Sequence, residues 1–137
     1  MSGVRFFRRL EEGISHTHAS AFEQRAVVDS VYEHLVKMLN TRQGSVASKF
    51  DYGLPDFNDV AKRFPDSIQE LKREILRCID KYEPRLKNVE IHYVSDIKQP
   101  LDMTYEIRAD VMLGKEKSNI LFETTMHTSG NVEVRGW

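Results

Sequence analysis

The change from helix to sheet is encoded in residues 67–93, SIQELKREILRCIDKYEPRLKNVEIHY. The first half of this stretch places apolar residues at intervals of three and four, which predicts a helix with one buried face. Pro84 ends the pattern, because proline lacks an amide proton and disfavours helical geometry in the residue before it. Val89, Ile91 and Tyr93 then alternate with polar residues, as in a half-buried strand.

Two helices are predicted before this stretch. The first is expected from Ala21 to Asn40 with Ser20 as its N-cap, and a short one is expected near Asp56–Arg63. At the start of the third helix, Ser67 and Glu70 have the spacing of a capping box, in which each side chain bonds an amide of the first turn.

Three further strands are predicted after it, because apolar and polar residues alternate in Met103–Leu113, Ile120–Met126 and Val132–Arg135. The predicted fold class is α+β, with N-terminal helices packed on one face of a mainly antiparallel C-terminal sheet. The opposite face is expected to meet water or a partner and carries Glu106, Arg108 and Asp110.

Length and charge narrow the class of protein. The 137 residues are expected to form one domain, 1–137, in which residues 1–20 are an extended arm. Because 20 basic residues are balanced by 21 acidic ones, the chain lacks the basic excess of nucleic-acid binders, and a nucleic-acid partner is not predicted. The single cysteine, Cys78, excludes an intramolecular disulfide, and no apolar run reaches the roughly 20 residues that span a bilayer. The expected location is the cytoplasm, without membrane insertion or a signal peptide.

No catalytic constellation is apparent. Glu11, Glu12, Glu23 and Glu33 could in principle serve a glycosidase, but nothing indicates that two of them share a cleft. His16 and His18 form an H-x-H pair without the cysteines or the HExxH spacing of a zinc site. We therefore predict no catalytic residue, no metal and no cofactor.

The turn that follows the third helix, Tyr82–Leu86, allows two interpretations. Glu83 and Arg85 could form an internal ion pair around Pro84, or Arg85 could present its planar guanidinium to another chain. Local physics alone favours the internal pair.

Four segments resemble a known family. They are FFRRL at 6–10, LNTRQG at 39–44, YGLPDF at 52–57 and EPRL at 83–86. In this order they resemble the TssE-type baseplate subunits of the type VI secretion system, within the lysozyme-related phage baseplate-wedge family.

The resemblance implies a noncatalytic subunit that links the baseplate wedge to the sheath and initiates sheath polymerisation by strand addition. The implied wedge partners are TssF-, TssG- and TssK-like subunits, bound through Glu83, Pro84, Arg85 and Leu86. The implied sheath partners are TssB- and TssC-like proteins, bound at edge strands through Ile120, Phe122, Thr124, Val132 and Val134. The alternatives are a small regulatory adaptor on the same fold and a peptidoglycan hydrolase.

Overall fold

The computed structural model describes residues 18–95, 102–113 and 115–136. The FFRRL segment, Glu11, Glu12 and His16 lie outside these residues. Within the three described ranges, no helix is long and apolar enough to cross a membrane.

The first helix, α1, spans His18–Leu39 and confirms the predicted helix. It begins earlier than expected, so residues 18–20 belong to the helix and the prediction of Ser20 as N-cap is wrong. Of the apolar residues that recur at helical spacing along α1, Val28, Val31, Leu35 and Leu39 are buried and Tyr32 is half-buried.

Two shorter helices follow. Helix α2 spans Phe57–Ala61, and the Asp56 carboxylate caps it by accepting a hydrogen bond from the amide of Asn58 at 2.9 Å. Helix α3 spans Ser67–Tyr82 and buries its apolar face in the core, through Leu71, Ile75, Cys78 and Ile79.

The predicted capping box at α3 is wrong. Asp66 occupies the N-cap position without a side-chain bond, and Ser67 is the first helical residue. Glu70 instead accepts two hydrogen bonds from the guanidinium of Arg63, at 2.7 and 2.9 Å. This bidentate ion pair engages both oxygens of the Glu70 carboxylate, whereas a capping box would give it a single backbone amide.

The sheet has four strands, β1 (Leu86–Val94), β2 (Met103–Leu113), β3 (Glu116–Met126) and β4 (Val132–Gly136). They pair in the order β1-β2-β3-β4, and each neighbouring pair is antiparallel. The predicted strands and the α+β fold class are therefore confirmed.

Alternation along the strands separates the two faces of the sheet. In β2 the side chains of Tyr105, Ile107, Ala109 and Val111 alternate along one face of the sheet, are buried, and meet the buried stripes of α1 and α3 in one core. The residues between them point to the other face, where Arg108 is exposed and Glu106 and Asp110 are half-buried.

Candidate partner-binding surface

The loop after α1 and the loop before α2 pair with each other. The amide of Leu54 donates to the carbonyl oxygen of Thr41, and the amide of Gln43 donates to the carbonyl oxygen of Leu54, both at 2.9 Å. Arg42 and Leu54 thereby form a short parallel bridge. The LNTRQG and YGLPDF segments are thus one two-stranded unit rather than two independent loops.

Gly53 makes this close pairing possible. Its backbone adopts a φ of 101°, which side-chain-bearing residues rarely occupy. A Cβ atom at this position would overlap the carbonyl group of Thr41. The glycine of the YGLPDF segment is therefore required both by its backbone angle and by the contact.

The paired loops present charge at the surface. The Arg42 side chain is 72% exposed and its guanidinium lies 3.4 Å from the Asp56 carboxylate. Beside them lies an open cleft of about 220 Å³, whose other wall is the β3–β4 turn with Ser129 and Gly130. Such a cleft, with a charged mouth, can accept a side chain of another protein.

The EPRL turn is built around a buried carboxylate. Glu83 is 1% exposed, and its two oxygens accept hydrogen bonds from Nε and Nη2 of Arg85, at 2.7 and 2.8 Å. His34 of α1 approaches the same carboxylate through Nδ1 at 2.7 Å, and Nη1 of Arg85 donates to the Ser30 hydroxyl of α1 at 2.9 Å. The turn therefore fastens the end of α3 to the middle of α1.

Electrostatics favour the charged form of this carboxylate. Burial by itself raises the pKa of Glu83, but the hydrogen bonds from Arg85 and His34 outweigh it, so the pKa lies below its ordinary value. The internal ion pair considered from the sequence is present. Of the four EPRL residues, Glu83 and Leu86 are buried, so only Pro84 and Arg85 reach the surface.

Aromatic rings join the EPRL turn to the paired loops. The Tyr52 ring stacks on the His34 ring at a centroid distance of 6.1 Å and meets the Tyr82 ring edge-on at 5.0 Å. Asp51 accepts hydrogen bonds from Lys81 and Tyr82, which lower its pKa to about 2. We call the area formed by residues 40–44, 52–57 and 83–86 the motif surface.

The residues predicted for the sheath lie elsewhere, in β3 and β4. β3 is an internal strand, with β2 on one side and β4 on the other along Phe122–Met126. The expectation that Phe122 and Thr124 lie on an edge strand is therefore wrong, and both side chains are buried together with Ile120. Ile120 lies just beyond the end of the β4 pairing, and β4, with Val132 and Val134, is an edge strand.

Several contacts of this region have no signal in the sequence. His34, Tyr32 and Asn40 all fall within the predicted first helix, but their partners lie 49 to 102 residues away in the chain. His127 contacts Asp102 and Glu133 through its two ring nitrogens, at 2.9 and 3.1 Å. Only the three-dimensional arrangement identifies these groups.

The side chains considered as candidates for catalysis or metal binding lie in different parts of the structure. Glu23 and Glu33 are exposed on α1. Cys78 is a buried core residue, and burial raises the pKa of its thiol. Among the described residues, no group of three histidine, cysteine, aspartate or glutamate side chains is arranged to hold a metal ion.

The family model of the baseplate wedge protein gp25 matches residues 25–115, which is more than half of the chain. The chain belongs to this family. The match includes α1 from Arg25 onward, both paired loops, the EPRL turn, β1 and β2. The matched range thus includes the whole motif surface, while β3 and β4 lie beyond it.

Two solved structures share the fold of this wedge-family chain. A chain of the baseplate complex from the type VI secretion system aligns over 77% of this chain and 98% of its own, with 24% identity and a TM-score of 0.60. A crystal structure described as a tail lysozyme from Geobacter sulfurreducens aligns over 71% and 88%, with 14% identity and a TM-score of 0.53. At these identities the likeness shows the fold alone.

One curated protein also matches, the trans-cinnamate 4-monooxygenase of Oryza sativa subsp. japonica, with 27% identity over 139 aligned positions. The alignment includes 97% of this chain, which spans about a quarter (26%) of the length of the rice protein. This partial match carries no assignment, whereas the family match supports a structural baseplate subunit.

Proposed function

We propose that this protein is a noncatalytic, cytoplasmic TssE-type subunit of a contractile injection machine. In this role it links the baseplate wedge to the sheath and initiates sheath polymerisation by strand addition. The observation that carries the proposal is the wedge-family match over residues 25–115, within which the LNTRQG, YGLPDF and EPRL segments meet in one surface.

The motif surface is the proposed contact with the TssF-, TssG- and TssK-like wedge subunits. Its accessible groups include the guanidinium groups of Arg42 and Arg85 and the ring of Pro84, whereas Glu83 and Leu86 are buried. Buried Glu83 supports the contact indirectly, because it fixes the guanidinium plane of Arg85. Arginine groups held in this way are suited to carboxylates on a partner.

The test of the wedge contact is charge reversal at Arg42. Its side chain is mostly exposed and meets only Asp56, so Arg42→Glu is expected to leave the fold intact. We expect co-purification with the wedge subunits to fall at least about tenfold, as expected when a charged interfacial contact is reversed. The matched control is Arg108→Glu, an exposed reversal on the sheet face away from the helices. If both variants bind equally well, the motif surface is not the wedge contact.

The hydrolase alternative is tested at the exposed carboxylates of α1. Glu23→Gln and Glu33→Gln are expected to support sheath assembly at the level of the parent, because no proton transfer is required of them. Peptidoglycan cleavage by the purified parent, abolished by either change, would contradict the noncatalytic assignment.

A further inference from the structure

The outer edge of β4 is closed by side chains of the same chain. The amide of Val132 donates to Oδ1 of Asn40 at 2.9 Å, and its carbonyl oxygen accepts from Nδ2 of Asn40 at 2.8 Å. The carbonyl oxygen of Val134 accepts a hydrogen bond from the Tyr32 hydroxyl at 2.7 Å. The carboxamide of Asn40 thus substitutes for the peptide group of a neighbouring strand. A partner strand cannot pair here without displacing these bonds.

Together with the residue pairing, these bonds show to which side of the strand the backbone groups of β4 and β3 point. In antiparallel strands the amide and carbonyl of one residue point to the same side, and successive residues alternate. Val132 and Val134 face outward, so Glu133 and Arg135 face β3, where they pair with Thr125 and Glu123. Continuing the alternation along β3, the residues that face the β4 side are Leu121, Asn119 and Lys117.

Beside those three residues the described sheet has no strand. The pairing of β4 ends with Gly136 opposite Phe122, while β3 continues back to Glu116. Among the described residues, none pairs with the backbone groups of Lys117, Asn119 and Leu121 on the β4 side of β3. On its other side this part of β3 is paired with β2 as far as Leu113.

The other edge strand of the sheet, β1, has a shorter row of outward-facing backbone groups. By the same alternation, Ile91 and Tyr93 face outward while Glu90 and His92 face β2. A bulge between Lys87 and Glu90, with Asn88 at a φ of 53°, interrupts the row before Ile91. Bulges of this kind protect sheet edges from further pairing.

We propose that an extended segment of a sheath subunit pairs with β3 along Lys117–Leu121, in line with β4, and not with β4 itself. This inference rests on the proposed function, since it names the edge that receives the sheath strand. Lys117, Asn119 and Leu121 alternate along β3 with residues that face β2. Their three amides and three carbonyl groups are the six backbone groups offered to the incoming segment. Its side chains on the helix side lie next to those of Ser118 and Ile120.

Amide hydrogen exchange on the unmodified protein tests the assignment. In the free chain the amides of Lys117, Asn119 and Leu121 should exchange faster than those of Ser118 and Ile120, which face β2. Added sheath subunits of the same machine should slow the first set by at least about tenfold. Slowing at Ile91 and Tyr93 instead would overturn the inference but leave strand addition intact. Slowing at Val132 and Val134 of β4 would likewise overturn the inference but leave strand addition intact, whereas sheath binding that slows none of these rows would overturn both.

Variants at Asn119 give an independent readout. Asn119→Pro removes an amide on the β4 side of β3, and it removes the side-chain bonds of Asn119 to β2 but no backbone hydrogen bond between β3 and β2. Asn119→Ala is the matched control, because it keeps the amide but loses the same side-chain bonds to Ala109 and Asp110. We expect the proline variant to lose at least about tenfold in sheath binding and the alanine variant to bind normally. Equal binding by both variants, with circular dichroism unchanged, would overturn the assignment.

Discussion

At the scale of single residues, Gly53 is the position where the fold tolerates least change. Gly53→Ala places a methyl group at a φ of 101° and into the carbonyl group of Thr41. The backbone angle alone costs about 1–2 kcal/mol, and the overlap raises the expected loss of unfolding free energy to more than about 3 kcal/mol. Urea unfolding measures this loss of unfolding free energy. Gly44→Ala is the control, because Gly44 has a φ of 86° but a Cβ atom there would have nothing within 4 Å. A similar loss in both variants would show that the contact with Thr41 is unimportant.

At the scale of elements, the EPRL turn connects α3 and β1 to α1 through buried Glu83. Arg85→Ala leaves this carboxylate with the hydrogen bond to His34 as its remaining side-chain contact between elements. Loss of one partner of a buried pair costs about 3–5 kcal/mol, and because the Arg85 side chain is 38% exposed we expect about 1–3 kcal/mol. The double variant Glu83→Gln/Arg85→Ala should be destabilised by less than the sum of the two single changes, measured by urea unfolding. Strict additivity would contradict the coupling. Any loss of wedge binding in Arg85→Ala must therefore be corrected for stability.

The same scale shows what the sequence could predict. Helices and strands follow from apolar periodicity, which in α1 identified most of the buried stripe but also included Tyr32, which is half-buried, and missed Met38, which is buried. Pairing between distant positions is not encoded in any local pattern. The bond from Asn40 to Val132 joins residues 92 apart, and it closes the edge that the sequence left open for the sheath. The capping box failed for a related reason, because Arg63 from a preceding turn competes for Glu70.

At the scale of the whole molecule, two kinds of titrating group limit stability from opposite sides of the pH range. Carboxylates with hydrogen-bonded cationic partners, including Glu83 and Asp51, have pKa values below their ordinary ones. Their contribution is present above the unfolded pKa of about 4 and is lost as the pH falls through the folded pKa. His127 is the opposite case, because hydrogen bonds to Glu133 and Asp102 raise its pKa above 6.5. Its contribution is present below about pH 6.5 and is lost as the pH rises through the folded pKa.

Thermal stability should therefore be greatest between about pH 5 and 6.5 and decline toward pH 8. The alkaline decline is assigned to His127, whose protonated ring alone can donate to both carboxylates. Because exposed ion pairs contribute about 0.2–1 kcal/mol, His127→Gln should lower the melting temperature at pH 6 by about 1–3 °C and leave it nearly unchanged at pH 8. The control is His92→Gln, since His92 is exposed on β1 and lies 3.9 Å from a single carboxylate, that of Glu90. Differential scanning calorimetry from about pH 5 to 8 measures these melting temperatures. If the melting temperature of His127→Gln still declines toward about pH 8, another titrating group causes the decline.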